Sequence, residues 1–176
     1  MIPNQFRSEE TQQEFTNCLV CNCNLLQEGC EYMIEKSYRN IATLGTTELL
    51  FEYAICASCA HQFSESLSEE SRSRIAAYMQ GAIRNLKPTE GSDRLLSCLV
   101  KNTPIEKSAE YQVVAYCTGN RLTPNSFPFA ISLEAMDEMA ELLSAKSRDE
   151  LDGFIGRYFT GPPEIAEILR RRPILV

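Results

Sequence analysis

The chain has 176 residues, 44% of them hydrophobic, which is enough to bury a core and excludes a disordered polypeptide. Its formal net charge is -7, with 3 basic and 8 acidic side chains in residues 1–60 and 14 and 16 in residues 61–176, so neither part offers the overall basic surface that dominates nucleic-acid affinity. No positive start followed by an apolar run marks a secretory signal, and no stretch approaches the roughly 20 apolar residues of a bilayer span. The expectation is a cytoplasmic, membrane-free protein whose thiols are reduced.

Residues 1–15 are polar and are expected to form a flexible N-terminus. A cysteine cluster, "CLVCNC" over 18–23, follows. "CEYMIEKSYR" (30–39) lacks strict alternation, but its β-branched and aromatic content suits a strand. "NIATLGTTE" (40–48) supplies a glycine-containing connection. "LLFEYAIC" (49–56) predicts a second strand with Leu49, Phe51, Tyr53 and Ile55 on one face, so the two strands are expected to pair as a long hairpin.

"CASCAHQFSES" then turns helical. Ser68 is the expected N-cap of a further helix, with Glu69 and Glu70 in its first turn and Ile75, Tyr78, Met79, Ala82 and Ile83 as its apolar stripe. "KPTEGSD" (87–93) reads as a break between lobes. Beyond it, "LLSCLVK" (95–101) and "YQVVAYC" (111–117) are strand candidates, and "TGNRLTPNS" is a loop. Ser132 is expected to cap a helix with Leu133, Met136, Met139, Leu142 and Leu143 inward. Ser147 to Glu150 fits a capping box for a helix carrying Leu151, Phe154, Ile155, Tyr158 and Phe159. "TGPPE" ends it, and Pro163 can open a last helix through Leu169. No tandem repeat or low-complexity tract is evident.

Eight cysteines in a reducing compartment read first as metal ligands or redox groups. Cys18-x-x-Cys21 and Cys56-x-x-Cys59 form two CxxC pairs, and each such turn brings two thiolates onto one ion. Four thiolates suit tetrahedral Zn²⁺, with sulfur at roughly 2.3 Å. Iron uses the same ligands and is the lesser expectation. A filled all-cysteine shell points to one structural zinc rather than a catalytic one, which keeps an open position. Cys23 is expected to be a bystander, and Cys30, Cys98 and Cys117 to be packing cysteines; a second site built from these four has no paired spacing to support it.

A cysteine turn, a hairpin and then a CxxC at a helix start resemble the treble-clef zinc fold, over about residues 16–80. The resemblance implies that Cys18 and Cys21 form the knuckle and that Cys56 and Cys59 are the helix pair. The chain also looks like bacterial proteins for which resemblance implies no activity. The fold class expected is therefore α+β, with a treble-clef-like, zinc-finger-like module over 16–87 and a small α+β lobe with C-terminal helices over 93–176.

His61 is the only histidine, two residues after Cys59, and is expected to lie outside the ligand shell. Its solitude leaves Ser-His-Asp and Cys-His hydrolases no other base, and the hairpin lacks the catalytic histidine of treble-clef nucleases. No GxxxxGK[ST], GxGxxG or HExxH occurs. Glu134, Asp137, Glu138 and Glu141 have helical spacing and read as a solvated face. The leading expectation is a non-enzymatic module that presents a surface to a protein partner. A nucleic-acid-binding regulator is the alternative, disfavoured by the acidic balance, with Arg170, Arg171 and Arg172 as the one local basic run. Thiol redox chemistry, or a redox-switched zinc site, is the third, since "YAICASCAHQF" places CxxC between a strand and a helix.

Overall fold

The computed structural model describes residues 1–84, 94–124, 126–159 and 169. The break at 87–93, "TGPPE", the last helix from Pro163 and the run Arg170 to Arg172 fall outside or almost wholly outside these residues.

The chain is α+β. Its elements are β1 (Glu31–Ile41), β2 (Thr46–Cys56), α1 (Ala57–Ser66), α2 (Glu69–Arg84), β3 (Glu110–Thr118), β4 (Arg121–Leu122), β5 (Phe129–Ser132), α3 (Leu133–Glu141) and α4 (Ala145–Tyr158). β1 and β2 form the long hairpin that their composition predicts. Gly45 closes the turn with φ +62°, where an L side chain would be strained, and its N–H bonds to Ile41 O at 3.0 Å.

One antiparallel sheet runs in the order β2-β1-β3-β4, with β5 also pairing with β3. The sheet crosses the expected boundary between lobes, because β1 pairs with β3 from Glu31–Thr118 to Arg39–Glu110.

Both faces of the hairpin are covered, which is why β1 does not alternate. Successive strand residues point to opposite faces. On one face Phe51 and Tyr53 meet Phe159, at ring separations of 6.2 and 5.3 Å. On the other lie Lys36 and Glu52, under the N-terminal segment. That segment was expected to fray, yet Ile2 and Phe6 are buried. The reason is polar as well as apolar. The Lys36 ammonium is fully buried; it donates to Arg7 O at 2.7 Å and Gln5 O at 3.3 Å, and pairs with Glu9 at 2.9 Å and Glu52 at 3.4 Å. A buried charge needs such a set of partners, and the first nine residues supply most of it.

Two further expectations are corrected. Residues 95–101 do not form a strand; they enter a tight turn bridged at Ser97–Pro104. The helix α4 is capped by Ser144, whose side chain accepts from Ser147 N, so Ser147 lies inside the helix rather than at its cap.

Candidate metal centre

The turn at residues 17–24 is a knuckle. Asn17 bridges Asn24, Cys18 N donates to Cys23 O at 3.0 Å, and Asn22 N donates to Cys18 O at 3.0 Å. Asn22 sits at φ +59°, a left-handed position that asparagine tolerates better than most residues. The knuckle docks on the hairpin through Leu19 N and Ala54 O at 2.9 Å. β2 then runs directly into α1 at Cys56, which places Cys59 on the first turn of that helix.

This arrangement brings the thiols together. The sulfurs of Cys18, Cys21, Cys23 and Cys56 lie within 4.8 Å of one another, and Cys21 and Cys56 are 3.8 Å apart. Cys59, on the first turn of α1, lies outside that mutual 4.8 Å set but beside it, close enough for the Cys21 and Cys56 thiols to help push its pKa upward. The group can hold a metal ion.

Backbone N–H groups point at the sulfurs. Cys18 Sγ accepts from Val20 N and from Cys56 N, both at 3.4 Å. Cys21 Sγ accepts from Cys23 N, and this donor is the largest influence lowering the Cys21 thiol to about 6. Burial pushes Cys56 and Cys59 the other way, and it raises Cys23, with help from its thiol neighbours, to about 12. Cys23, Cys56 and Cys59 therefore resist ionising beside their thiol neighbours unless a cation offsets the repulsion.

Cys23 is the residue that spacing alone set aside. The only sequence signal for it is CxxCxC itself, in which the third cysteine follows the second ligand by two positions. The other cysteines stay outside: Cys30 is half-buried at the start of β1, and Cys98 and Cys117 are buried. Burial raises the Cys117 thiol to about 11, as expected of a packing residue. His61 is exposed and pairs with Glu65 one helical turn away at 3.5 Å.

Among the described residues no helix is long and apolar enough to cross a membrane. Comparison of the chain with models of protein families, with curated proteins and with solved structures finds no match.

Proposed function

We propose that the cluster binds one Zn²⁺ through Cys18, Cys21, Cys56 and Cys59, in a treble-clef-like centre, and that the metal serves the fold rather than a reaction. The observation that carries this is the junction of the knuckle with the start of α1, where Cys18, Cys21 and Cys56 have their sulfurs within 4.8 Å of one another and Cys59 stands on the adjoining helical turn. Cys23 is assigned the supporting part because the repeated CxxC spacing favours Cys59 as the fourth ligand, although the Cys23 sulfur stands within 4.8 Å of those of Cys18, Cys21 and Cys56. Zinc is favoured over iron as the ion that four thiolates hold in structural sites without redox chemistry. Such a closed shell keeps no position for a substrate.

A non-enzymatic part in binding a protein partner follows from that closed shell. A cleft of about 540 Å³ supports it. This cleft lies beside α2 and is lined by Ile75, Met79, Leu99, Tyr116 and Phe127. Ile83 and Tyr116, two of its lining residues, are large apolar side chains left exposed, and a mostly apolar cleft is the surface such a partner would fill.

Elemental analysis with native mass spectrometry tests the metal: one zinc per chain is expected, retained in Cys23→Ser and lost in Cys59→Ser. Zinc retained in Cys59→Ser and lost in Cys23→Ser would transfer the fourth ligand to Cys23. Cross-linking in native lysate tests the partner, and turnover of a substrate by the purified protein without any specific cross-linked protein would overturn that part.

A further inference from the structure

The turn around Cys98 repeats the backbone-to-backbone hydrogen bonds of the first knuckle. "CLVKN" (98–102) stands where "CLVCN" (18–22) stands, 80 positions on. Asn17–Asn24 and Ser97–Pro104 are the equivalent bridges. Cys98 N donates to Thr103 O and Asn102 N to Cys98 O, both at 2.8 Å, matching the two bonds of the first knuckle. Asn102 has φ +53° where Asn22 has +59°. Leu25 N bonds to Thr16 O at 2.8 Å, and Ile105 N to Leu96 O at 2.9 Å.

The likeness continues past the knuckles. Leu19 N docks on Ala54 O at 2.9 Å, and Leu99 N docks on Ala130 O at 2.8 Å. Two residues after each carbonyl the strand ends and a helix begins, α1 after Cys56 and α3 after Ser132. A second helix follows in both cases, introduced by "LSEESR" (67–72) and by "LSAKSR" (143–148), 76 positions apart. The two halves then exchange packing. Phe154 of α4 packs against Phe63 of α1 with ring centroids 4.4 Å apart, and Tyr78 of α2 donates to Glu138 of α3 at 2.6 Å. Separate chance turns do not share hydrogen bonds, backbone handedness, docking partners and helix caps in the same order.

We infer that residues 16–84 and 95–158 are two copies of one knuckle–strand–helix unit, and that Cys98, Lys101, Ser132 and Ala135 are the ligand positions of a second metal centre converted to a metal-free one. They correspond to Cys18, Cys21, Cys56 and Cys59, so the assignment rests on the ligand set proposed for the first centre.

The surviving cysteine keeps the N–H donor at the helix start, while its second donor shifts from the position of Val20 to that of Cys21. Cys98 Sγ accepts from Ser132 N at 3.3 Å, as Cys18 Sγ accepts from Cys56 N at 3.4 Å, and it takes a second bond from Lys101 N at 3.4 Å. At the other positions the chemistry has changed. The Lys101 ammonium turns to the carboxylates of Glu134 and Glu138 on α3. Ala135 is fully buried, and Ser132 Oγ is buried with no hydrogen-bond partner among the described residues. An ion pair between knuckle and helix thus does in the second unit what shared metal coordination does in the first. The chain accordingly binds one thiolate-held metal, although it contains two frames built for one.

Restoring the ligands tests this. The triple variant Lys101→Cys/Ser132→Cys/Ala135→Cys, purified with zinc, is expected to hold two zinc ions per chain against one in the natural protein. With cobalt, its thiolate-to-metal absorption is expected to double. A folded triple variant that still binds a single ion overturns the inference while leaving the first centre intact. No metal in the natural protein and one in the triple variant would instead overturn the first centre and sustain the second. Should the triple variant not fold, Ser132→Cys alone decides. Mild oxidation with diamide is expected to join the new thiol to Cys98, and a native-like variant in which peptide mapping finds no such link refutes the correspondence.

Discussion

Ser68 and Ser144, 76 positions apart in the chain, place their hydroxyl oxygens 2.9 Å from each other. Each introduces a helix, and each borrows from the other's: Ser68 N donates to Ser147 Oγ at 2.9 Å, and Ser144 N donates to Ser71 Oγ at 2.8 Å. Ser71 and Ser147 are fully buried. Two helix starts, which ordinarily leave N–H groups without partners, satisfy one another across the molecule.

Because each cap serves both helices, its loss is expected to be felt twice. Ser68→Ala and Ser144→Ala should each cost about 1–2 kcal/mol, the upper part of the range for an N-cap. The double variant should cost less than the sum, by a coupling of about 0.5–3 kcal/mol. Urea unfolding of the two single variants and the double gives the cycle. Strict additivity would show the two caps to be independent.

Metal removal is expected to unfold the knuckle and the start of α1, since binding of a structural zinc by thiolates is itself folding free energy, on the order of 10 kcal/mol at neutral pH. Chelator treatment should lower the thermal midpoint, with recovery on adding zinc. Cys18→Ser and Cys56→Ser should behave as the chelated protein does, and Cys117→Ser should keep its metal. A chelated protein with unaltered melting would remove the structural part assigned to the ion.

The N-terminal segment is expected to be part of the stability of the hairpin. Lys36→Met leaves Glu52 and two backbone carbonyls without their shared donor, and breaking a buried ion pair from one side costs about 3–5 kcal/mol. Lys36→Met/Glu52→Leu should not recover that loss, because Glu52 also accepts from Ser8 Oγ at 2.7 Å and from Glu9 N at 3.0 Å, donors that the leucine leaves without a partner. Denaturant midpoints check both, and a single variant as stable as the natural protein would contradict the burial of the ammonium.

Alkaline pH is expected to destabilise the fold through Tyr53. Its phenol donates to Glu35 at 2.6 Å, and burial, with the Glu35 charge, raises its pKa well above the ordinary 10. A raised folded value means that the neutral form is favoured in the native state. The contribution is therefore complete below about pH 10 and is lost as pH rises through the folded value. Tyrosine absorbance at 295 nm should show a buried class that ionises only as circular dichroism reports unfolding. Tyr53→Phe should reduce the amplitude of that late step, the remainder coming from the other tyrosines that burial raises, Tyr32 among them.

Legibility in the sequence followed the range of the interactions. The hairpin, α1 and the stripe of α2 rest on local periodicity, and their extents agree with composition and spacing to within a few residues. The segment 95–101 misled because "LLSCLV" is apolar enough for a strand, while the conformation is decided by Asn102 at positive φ and by the docking of Leu99 on Ala130. The mistaken capping box had a similar origin. Ser144 and Ser147 are both good caps locally, and the place where α4 starts depends on Ser68 and Ser71 from the other half. The repeat stayed hidden because the two units share few identities outside the knuckle and the caps, and three of the four ligand positions differ.

The sequence by itself determined that the chain is α+β, that it carries two CxxC pairs and that these thiols are suited to a soft, tetrahedral ion, because a thiol's chemistry and the geometry of a CxxC turn are local properties. Only the tertiary structure decided which thiols meet, that Cys23 stands among them, and that Cys98 Sγ accepts from Ser132 N as Cys18 Sγ accepts from Cys56 N. It also decided that the N-terminus is held by Lys36. Each of these depends on residues brought together from distant parts of the chain, and pairing across a sheet or between helix ends leaves no periodic trace in either partner.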